Sequence, residues 1–185
     1  MFYSLIIFFG FVSIISGIIS SNSDKLTSNS SLVPTFDIYH HFLGYNLRSF
    51  FRFWWIPDSL LLMTIVFVCF LQYKEFEQFI YELCILQIIR ILACVSTVGY
   101  VSPRYFYNRC HLGFTNNCFS DLYISGHSLT ATLIWCFMYD KNLSFIWYSL
   151  ITLIAFLAVV SNLLVGDHYT ADIRVGVSLA MAVHW

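Results

Sequence analysis

Charge is what this sequence has least of. Only 10% of its 185 residues are Asp, Glu, Lys or Arg, against 59% hydrophobic. A soluble domain usually carries about a quarter charged residues, so most of this surface cannot face water. Neither sign prevails, the formal net charge being -1, which leaves no global field to steer the chain towards nucleic acid or another acidic partner. The six cysteines show no CxxC pair and no zinc-ligand spacing. Cys69, Cys84, Cys94 and Cys136 fall in apolar runs as small hydrophobes. Cys110 and Cys118 lie in a polar connection; they pair if it faces an oxidising lumen and otherwise stay free thiols. No internal repeat breaks the chain into units.

What the chain does have is long apolar blocks, which predict an all-α, polytopic transmembrane bundle of about six helices. Residues 1–20 read as a first transmembrane helix or signal anchor; a cleaved signal peptide fits less well, because no Lys or Arg precedes the apolar run. Residues 21–55 read as a polar linker followed by an interfacial segment with Arg48, Arg52, Trp54 and Trp55. Asn29-Ser30-Ser31 in that linker is a glycosylation sequon if it reaches a lumen. Residues 56–185 form the expected membrane domain. Pro57-Asp58-Ser59 starts a second run to about Leu71, and Lys74, Glu75 and Glu77 turn the chain into a third, which reaches about Tyr100 and contains Glu82 and Arg90. A loop to Gly126 precedes runs over His127–Tyr139, Leu143–Val165 and His168–Trp185. Counting crossings puts the Pro57-Asp58 turn, the Pro103 to Gly126 loop and the Gly166-Asp167 turn on one side.

Two clusters on that side carry chemistry. His168 and Asp172 are four residues apart where the last run begins, a spacing that on a helix lets the carboxylate hold the ring in one tautomer and leaves the other nitrogen more nucleophilic. A surface His–Asp pair would be the plainer reading, but ionisable residues inside apolar segments are functional by default. Ser125-Gly126-His127-Ser128 opens another run: Gly126 permits close backbone approach, and a helix start favours an anion. His127 is then placed to protonate a leaving oxygen beside a bound phosphate. Arg90, Arg104 and Arg109 are candidate phosphate forks. Arg90 is the strongest, lying well inside its run, and its plainer reading is a pair with Glu82. Asp121 and Asp167 read as helix-flanking polar residues, His184 and Trp185 as an interfacial chain end, and His40, His41 and His111 carry no motif. Covalent phosphoryl transfer through His168, with His127 as general acid, ranks ahead of a zinc site, for which a third ligand and an open position are not evident.

At these residues the sequence resembles the sphingomyelin synthase and ceramide phosphotransferase family, within the type 2 phosphatidic acid phosphatase superfamily. Cys118-Phe119-Ser120-Asp121-Leu122-Tyr123-Ile124-Ser125-Gly126-His127-Ser128 is similar to the family's third motif, with one extra residue before Asp121 and Ser128 for Thr. His168-Tyr169-Thr170-Ala171-Asp172-Ile173 is close to the fourth, and Pro57-Asp58 resembles the first. Arg90 and the Thr97-to-Pro103 stretch resemble the second, without its paired arginines and tyrosine. The broader phosphatase branch has Arg six positions before the nucleophilic His; Asn162 stands there, which favours the synthase branch.

The resemblance implies a catalytic triad of His127, His168 and Asp172, with Arg90, Pro57, Asp58, Asp121, Ser125, Gly126 and Tyr169 on the substrate. It implies transfer of phosphocholine or phosphoethanolamine from a phospholipid donor to a ceramide acceptor, releasing diacylglycerol, with no cofactor and no metal. Alternatives are a lipid phosphate phosphatase and a non-catalytic membrane homologue. The resemblance also implies a Golgi, endoplasmic reticulum or plasma membrane location with a luminal or extracellular active face. Arg48, Arg52, Arg104 and Arg109 against Lys74 and Lys141 point the other way, but arginines beside a phosphate site answer to the ligand as well as to topology. Family members usually extend further at both ends, so a minimal or incomplete chain is expected. Arg174 falls away from the His168–Asp172 face and receives no role.

Overall fold

A computed structural model describes residues 53, 55–96, 124–141, 143–165 and 168–185, with 7–8, 10–12 and 14–15 of the first apolar run. Among the described residues the architecture is all-helical. Helix α1 (Trp55–Val66) tightens into a 3₁₀ turn (Phe67–Phe70) and is followed by α2 (Tyr73–Ser96), α3 (Gly126–Tyr139), α4 (Phe145–Leu164) and α5 (Thr170–His184). The described positions between 7 and 15 are also helical. The Arg104, Arg109, Cys110, Cys118, Asp121 and Asp167 positions lie outside the described residues.

Helix α3 is the hub, packed against each of the other four α-helices. Apart from Gly126, His127 and the half-buried Thr130 and Trp135, residues up to Met138 are buried on every side, because the other helices surround this one. Helix α4 is one-sided. Ile151, Ile154, Ala155, Ala158, Ser161 and Asn162 recur at helical spacing and turn inward. Phe145, Ile146, Trp147, Leu153 and Phe156 point outward, Phe145 being 83% exposed. At 20 residues with mean hydropathy 2.0, α4 alone among the described helices is long and apolar enough to cross a bilayer. Trp55–Phe70 is a shorter apolar segment.

The core joins α2, α3 and α5. Leu86, Leu129, Leu133 and Ala180 are fully enclosed in one cluster, and Phe79 meets the ring of Phe137 edge-on at 5.6 Å. Asp172, Gly176 and Ala180 recur every four residues on the buried face of α5. Gly176 sets the depth of that contact. A β-carbon there would lie 2.9 Å from the Ser125 carbonyl oxygen and 3.4 Å from the Leu129 nitrogen. Only glycine lets α5 press its backbone against the first turn of α3.

Two element boundaries differ from the sequence reading in ways that matter. The last helix begins at Thr170, not His168, because the Asp172 carboxylate accepts the Tyr169 backbone N–H at 2.9 Å and caps the helix there. The second run ends as an α-helix at Val66, and the four residues after it are wound more tightly.

Candidate active site

The N-terminal ends of α3 and α5 meet through the backbone. Ser125 N–H donates to the Asp172 carbonyl at 3.2 Å, and the Gly176 approach lies one turn further along. Ser125 is fully buried and caps α3, its hydroxyl accepting the Ser128 N–H at 3.3 Å. The sequence places these residues side by side through motif alone; the contact that joins them depends on Gly176. Its signal is the four-residue step from Asp172, which puts both on one helix face.

His127 follows in the first turn of α3, and its Nε2 lies 2.6 Å from Oδ1 of Asp58 in the first turn of α1. An ionised carboxylate only accepts hydrogen bonds, so Nε2 carries the hydrogen and Nδ1 is left as the atom for exchange with a ligand. Both side chains are partly open to solvent. Pro57 is buried in the same turn of α1, where its missing N–H costs nothing. The sequence reads Asp58 as part of a helix start and gives it a place on the substrate only through resemblance. The structure gives it a partner 69 residues away.

Arg90, on α2, brings its guanidinium to Gly126. A β-carbon at 126 would sit 3.0 Å from Nη1 and 3.1 Å from Cζ. Nη1 also reaches Gln87 Oε1 at 3.4 Å. The pairing with Glu82 does not form: Glu82 accepts from Gln78 at 2.6 Å and meets His184 at 3.0 Å. A cationic fork therefore lies against the start of α3, where the first backbone N–H groups of the helix also favour negative charge.

His168 sits just before α5, buried, its N–H donating to the Asn162 carbonyl at 3.4 Å. Its Nδ1 is 3.7 Å from Asp172 Oδ2. That is ion-pair range but too long for a hydrogen bond, and Nδ1 has no hydrogen-bond partner among the described residues. The expected His–Asp bond is corrected on this point. His168 precedes the helix, so the four-residue helical stacking does not apply, and the carboxylate turns to the Tyr169 N–H instead. Asn162, fully buried, donates from Nδ2 to the Ala158 carbonyl at 2.6 Å, locking the last turn of α4 beneath His168. Tyr169 is buried at the cap of α5.

Of the sequence-selected residues, Asp58, Arg90, Ser125, Gly126, His127, His168, Tyr169 and Asp172 are thus linked at one end of the bundle by successive contacts and chain neighbours, with Pro57 beside them. Asp121 lies outside the described residues. Arg174 is exposed on α5. Among the described residues, no group of three or more His, Cys, Asp or Glu side chains is placed to hold a metal ion.

A family model, the PAP2 superfamily, matches residues 78–185, more than half of the chain. The chain belongs to the PAP2 superfamily. That superfamily covers phosphatases and phosphotransferases and is generally enzymatic. No curated protein matches the chain. The matched stretch takes in most of α2 and all of α3 to α5, with Arg90, His127, His168 and Asp172; α1, with Asp58, lies before it.

Proposed function

We propose that this PAP2 chain is a lipid phosphotransferase that moves a phosphorylated headgroup, phosphocholine or phosphoethanolamine, from a glycerophospholipid to ceramide. The observation that carries the reading is the convergence of His127, held by Asp58, with His168, beside Asp172, at ends of α3 and α5 that share a backbone hydrogen bond. Arg90 against Gly126 supplies the cation that a phosphodiester requires.

In the first half-reaction His168 Nε2 attacks phosphorus, a P–N bond forms and the P–O bond to diacylglycerol breaks. His127 passes its Nδ1 proton to the departing alkoxide. In the second, the ceramide hydroxyl gives its proton to His127, its oxygen attacks phosphorus and the P–N bond breaks. General acid help of this kind is typically worth about 10²–10⁴-fold. The outward apolar face of α4 and the long hydrophobic runs support a membrane protein; a multi-pass chain of the Golgi, endoplasmic reticulum or plasma membrane with a luminal or extracellular site is the part of the proposal that rests on the family resemblance alone. Both substrates then enter from the bilayer. Asn162 in place of an arginine favours transfer over hydrolysis.

The test is incubation of the purified full chain in mixed micelles with fluorescent ceramide and, separately, phosphatidylcholine, phosphatidylethanolamine and phosphatidic acid. Ceramide should accelerate diacylglycerol release and become headgroup-phosphorylated, as a ping-pong scheme requires. Hydrolysis of phosphatidic acid with no response to ceramide would make the chain a phosphatase. Inertness towards every lipid would leave a non-catalytic homologue.

A further inference from the structure

Helices α3 and α4 form an antiparallel hairpin whose register is fixed by two contacts. Trp135 Nε1 donates to Thr152 Oγ1 at 3.0 Å, and the Tyr139 and Tyr148 rings meet at 5.7 Å. From the first contact to the second, α3 advances by one turn and α4 retreats by one. Carried towards the active-site end at about 1.5 Å per residue, the same register sets Asn162 opposite Ser125, the cap of α3. Asn162 thus stands level with the turn that carries Gly126 and His127, and its carbonyl accepts the His168 N–H at 3.4 Å. Ser128 lies on the same face of α3 as Ser125. Asn162 and Ser128 are both fully buried, and neither Asn162 Oδ1 nor Ser128 Oγ has a hydrogen-bond partner among the described residues.

Chemistry settles which way the Asn162 amide points. One end lies 2.6 Å from the Ala158 carbonyl oxygen, and a carbonyl only accepts, so that end is Nδ2 and the other is Oδ1. Asn162 therefore holds a fixed, buried acceptor beside His168, and a buried acceptor without a donor is costly. A serine hydroxyl can donate or accept, but an amide oxygen only accepts. What reaches Asn162 must bring an N–H or an O–H. The phosphodiester oxygens, glycerol esters and trimethylammonium of phosphatidylcholine bring neither. Ceramide brings both: its amide nitrogen and its primary hydroxyl sit on neighbouring carbons. When that hydroxyl attacks a phosphoryl group on His168, the N–H lies beside the nucleophile, which is where Asn162 is tied. His168 is buried too, so a lipid that reaches the nucleophile enters the same enclosed end of the bundle.

We propose that Asn162 selects the acceptor lipid: its Oδ1 accepts the N–H of an N-acylated amino alcohol whose neighbouring hydroxyl attacks the phosphohistidine. The proposal rests on the transferase reading and adds a specificity-determining residue to it. Diacylglycerol carries an ester oxygen on the carbon where ceramide carries its N–H. Bound in the same pose, it would set one acceptor against another. The headgroup is thereby passed on to ceramide in preference to returning to diacylglycerol.

The test compares ceramide with its N-methyl analogue as acceptors for the full chain in mixed micelles, with phosphatidylcholine as donor. Leaving Oδ1 without its donor should lower kcat/KM for the wild type by about 5- to 100-fold. Asn162→Ala removes the acceptor oxygen and leaves room for the methyl group, so it should bring the two lipids close together. It should also raise transfer to labelled diacylglycerol relative to ceramide. Where Asn162→Ala does not fold, Asn162→Leu keeps the volume without the oxygen. A merely structural role would slow both acceptors alike and leave their ratio at the wild-type value. That result, or equal use of both acceptors by the wild type, would overturn the selection by Asn162 while leaving the transferase standing. Release of headgroup with no transfer to any acceptor would instead remove the transferase reading, and the proposal with it.

Discussion

Arg90 and Gly126 are fitted to each other: the guanidinium Nη1 lies 3.0 Å from where a β-carbon at residue 126 would stand. An alanine there needs the arginine to move by a few tenths of an ångström, and the end of a flexible side chain can do so. Gly126→Ala should therefore fold, with a thermal midpoint near wild type, yet bind donor lipid less well. Charge-assisted hydrogen bonds contribute about 1.5–3 kcal/mol, so Arg90→Ala should lose about 10- to 100-fold in kcat/KM, with Gly126→Ala in the same direction and smaller. Arg90→Lys should recover little, because a point charge does not replace the fork. Initial rates against donor lipid at fixed micelle size check all three.

The Asp58–His127 bond predicts a different kinetic signature. Asp58 fixes Nε2–H and stabilises the ring when it is charged, so its loss should be felt in turnover more than in binding. His127→Ala should cost about 10²–10⁴-fold in kcat, the range of a general acid. Asp58→Asn keeps an acceptor for the Nε2 hydrogen without the charge, and should lose less than His127→Ala. A double variant no slower than His127→Ala alone would show that Asp58 acts through the histidine, as residues of one unit do. Wild-type kcat in Asp58→Asn would remove Asp58 from the mechanism.

The pattern of apolar runs made the helices legible. The runs expected at His127–Tyr139 and Leu143–Val165 correspond to Gly126–Tyr139 and Phe145–Leu164, because Ser125-Gly126 and Asp140-Lys141 punctuate them. The runs say nothing about partners. Apolarity does not name the central helix, because α4 is apolar on its outward face too, and the contact of α3 with α5 depends on one missing β-carbon at Gly176. The Asp58–His127 and Glu82–His184 pairs span 69 and 102 residues, and no local spacing encodes such contacts. His168 and Asp172 show the reverse failure. Their spacing is that of a helix, yet the cap formed by Asp172 ends the helix short of His168.

Glu75 and Lys141 join the two hydrophilic turns, where Nζ and Oε2 are 2.6 Å apart. The lysine ammonium, and next the Gln72 N–H, hold the Glu75 carboxyl below its ordinary range. A depressed folded-state value means that the pair stabilises above the unfolded-chain value of about 4.3 and that this stabilisation is lost as pH falls through the lower folded value. Glu75 is 36% exposed, so solvent screening keeps the contribution small. Lys141→Met should lower the unfolding midpoint slightly at neutral pH and make the acid limb shallower, as read by circular dichroism from about pH 7 down to about pH 3. Equal acid limbs in the variant and wild type would dismiss the pair as a contributor.

Asp172 has two tasks, and substitutions separate them. Its Oδ2 caps α5 through the Tyr169 N–H at 2.9 Å and lies 3.7 Å from His168 Nδ1. Asn at 172 still accepts the Tyr169 N–H but carries no charge, whereas Ala removes both functions. Asp172→Ala should therefore lose about 0.5–2 kcal/mol of stability, the usual cost of a missing cap, and Asp172→Asn less. Turnover should discriminate in another way. A phosphohistidine at His168 Nε2 needs a hydrogen on Nδ1, and closing the 3.7 Å gap to the carboxylate by a small ring rotation would fix it there. Asp172→Asn should then fold and still lose orders of magnitude in kcat, by analogy with mis-set tautomers in other His–Asp pairs. His168→Ala should abolish both turnover and the acid-labile phosphoenzyme trapped from radiolabelled donor lipid. If Asp172→Asn turns over like wild type while Asp172→Ala fails only through instability, Asp172 is a helix cap and nothing more.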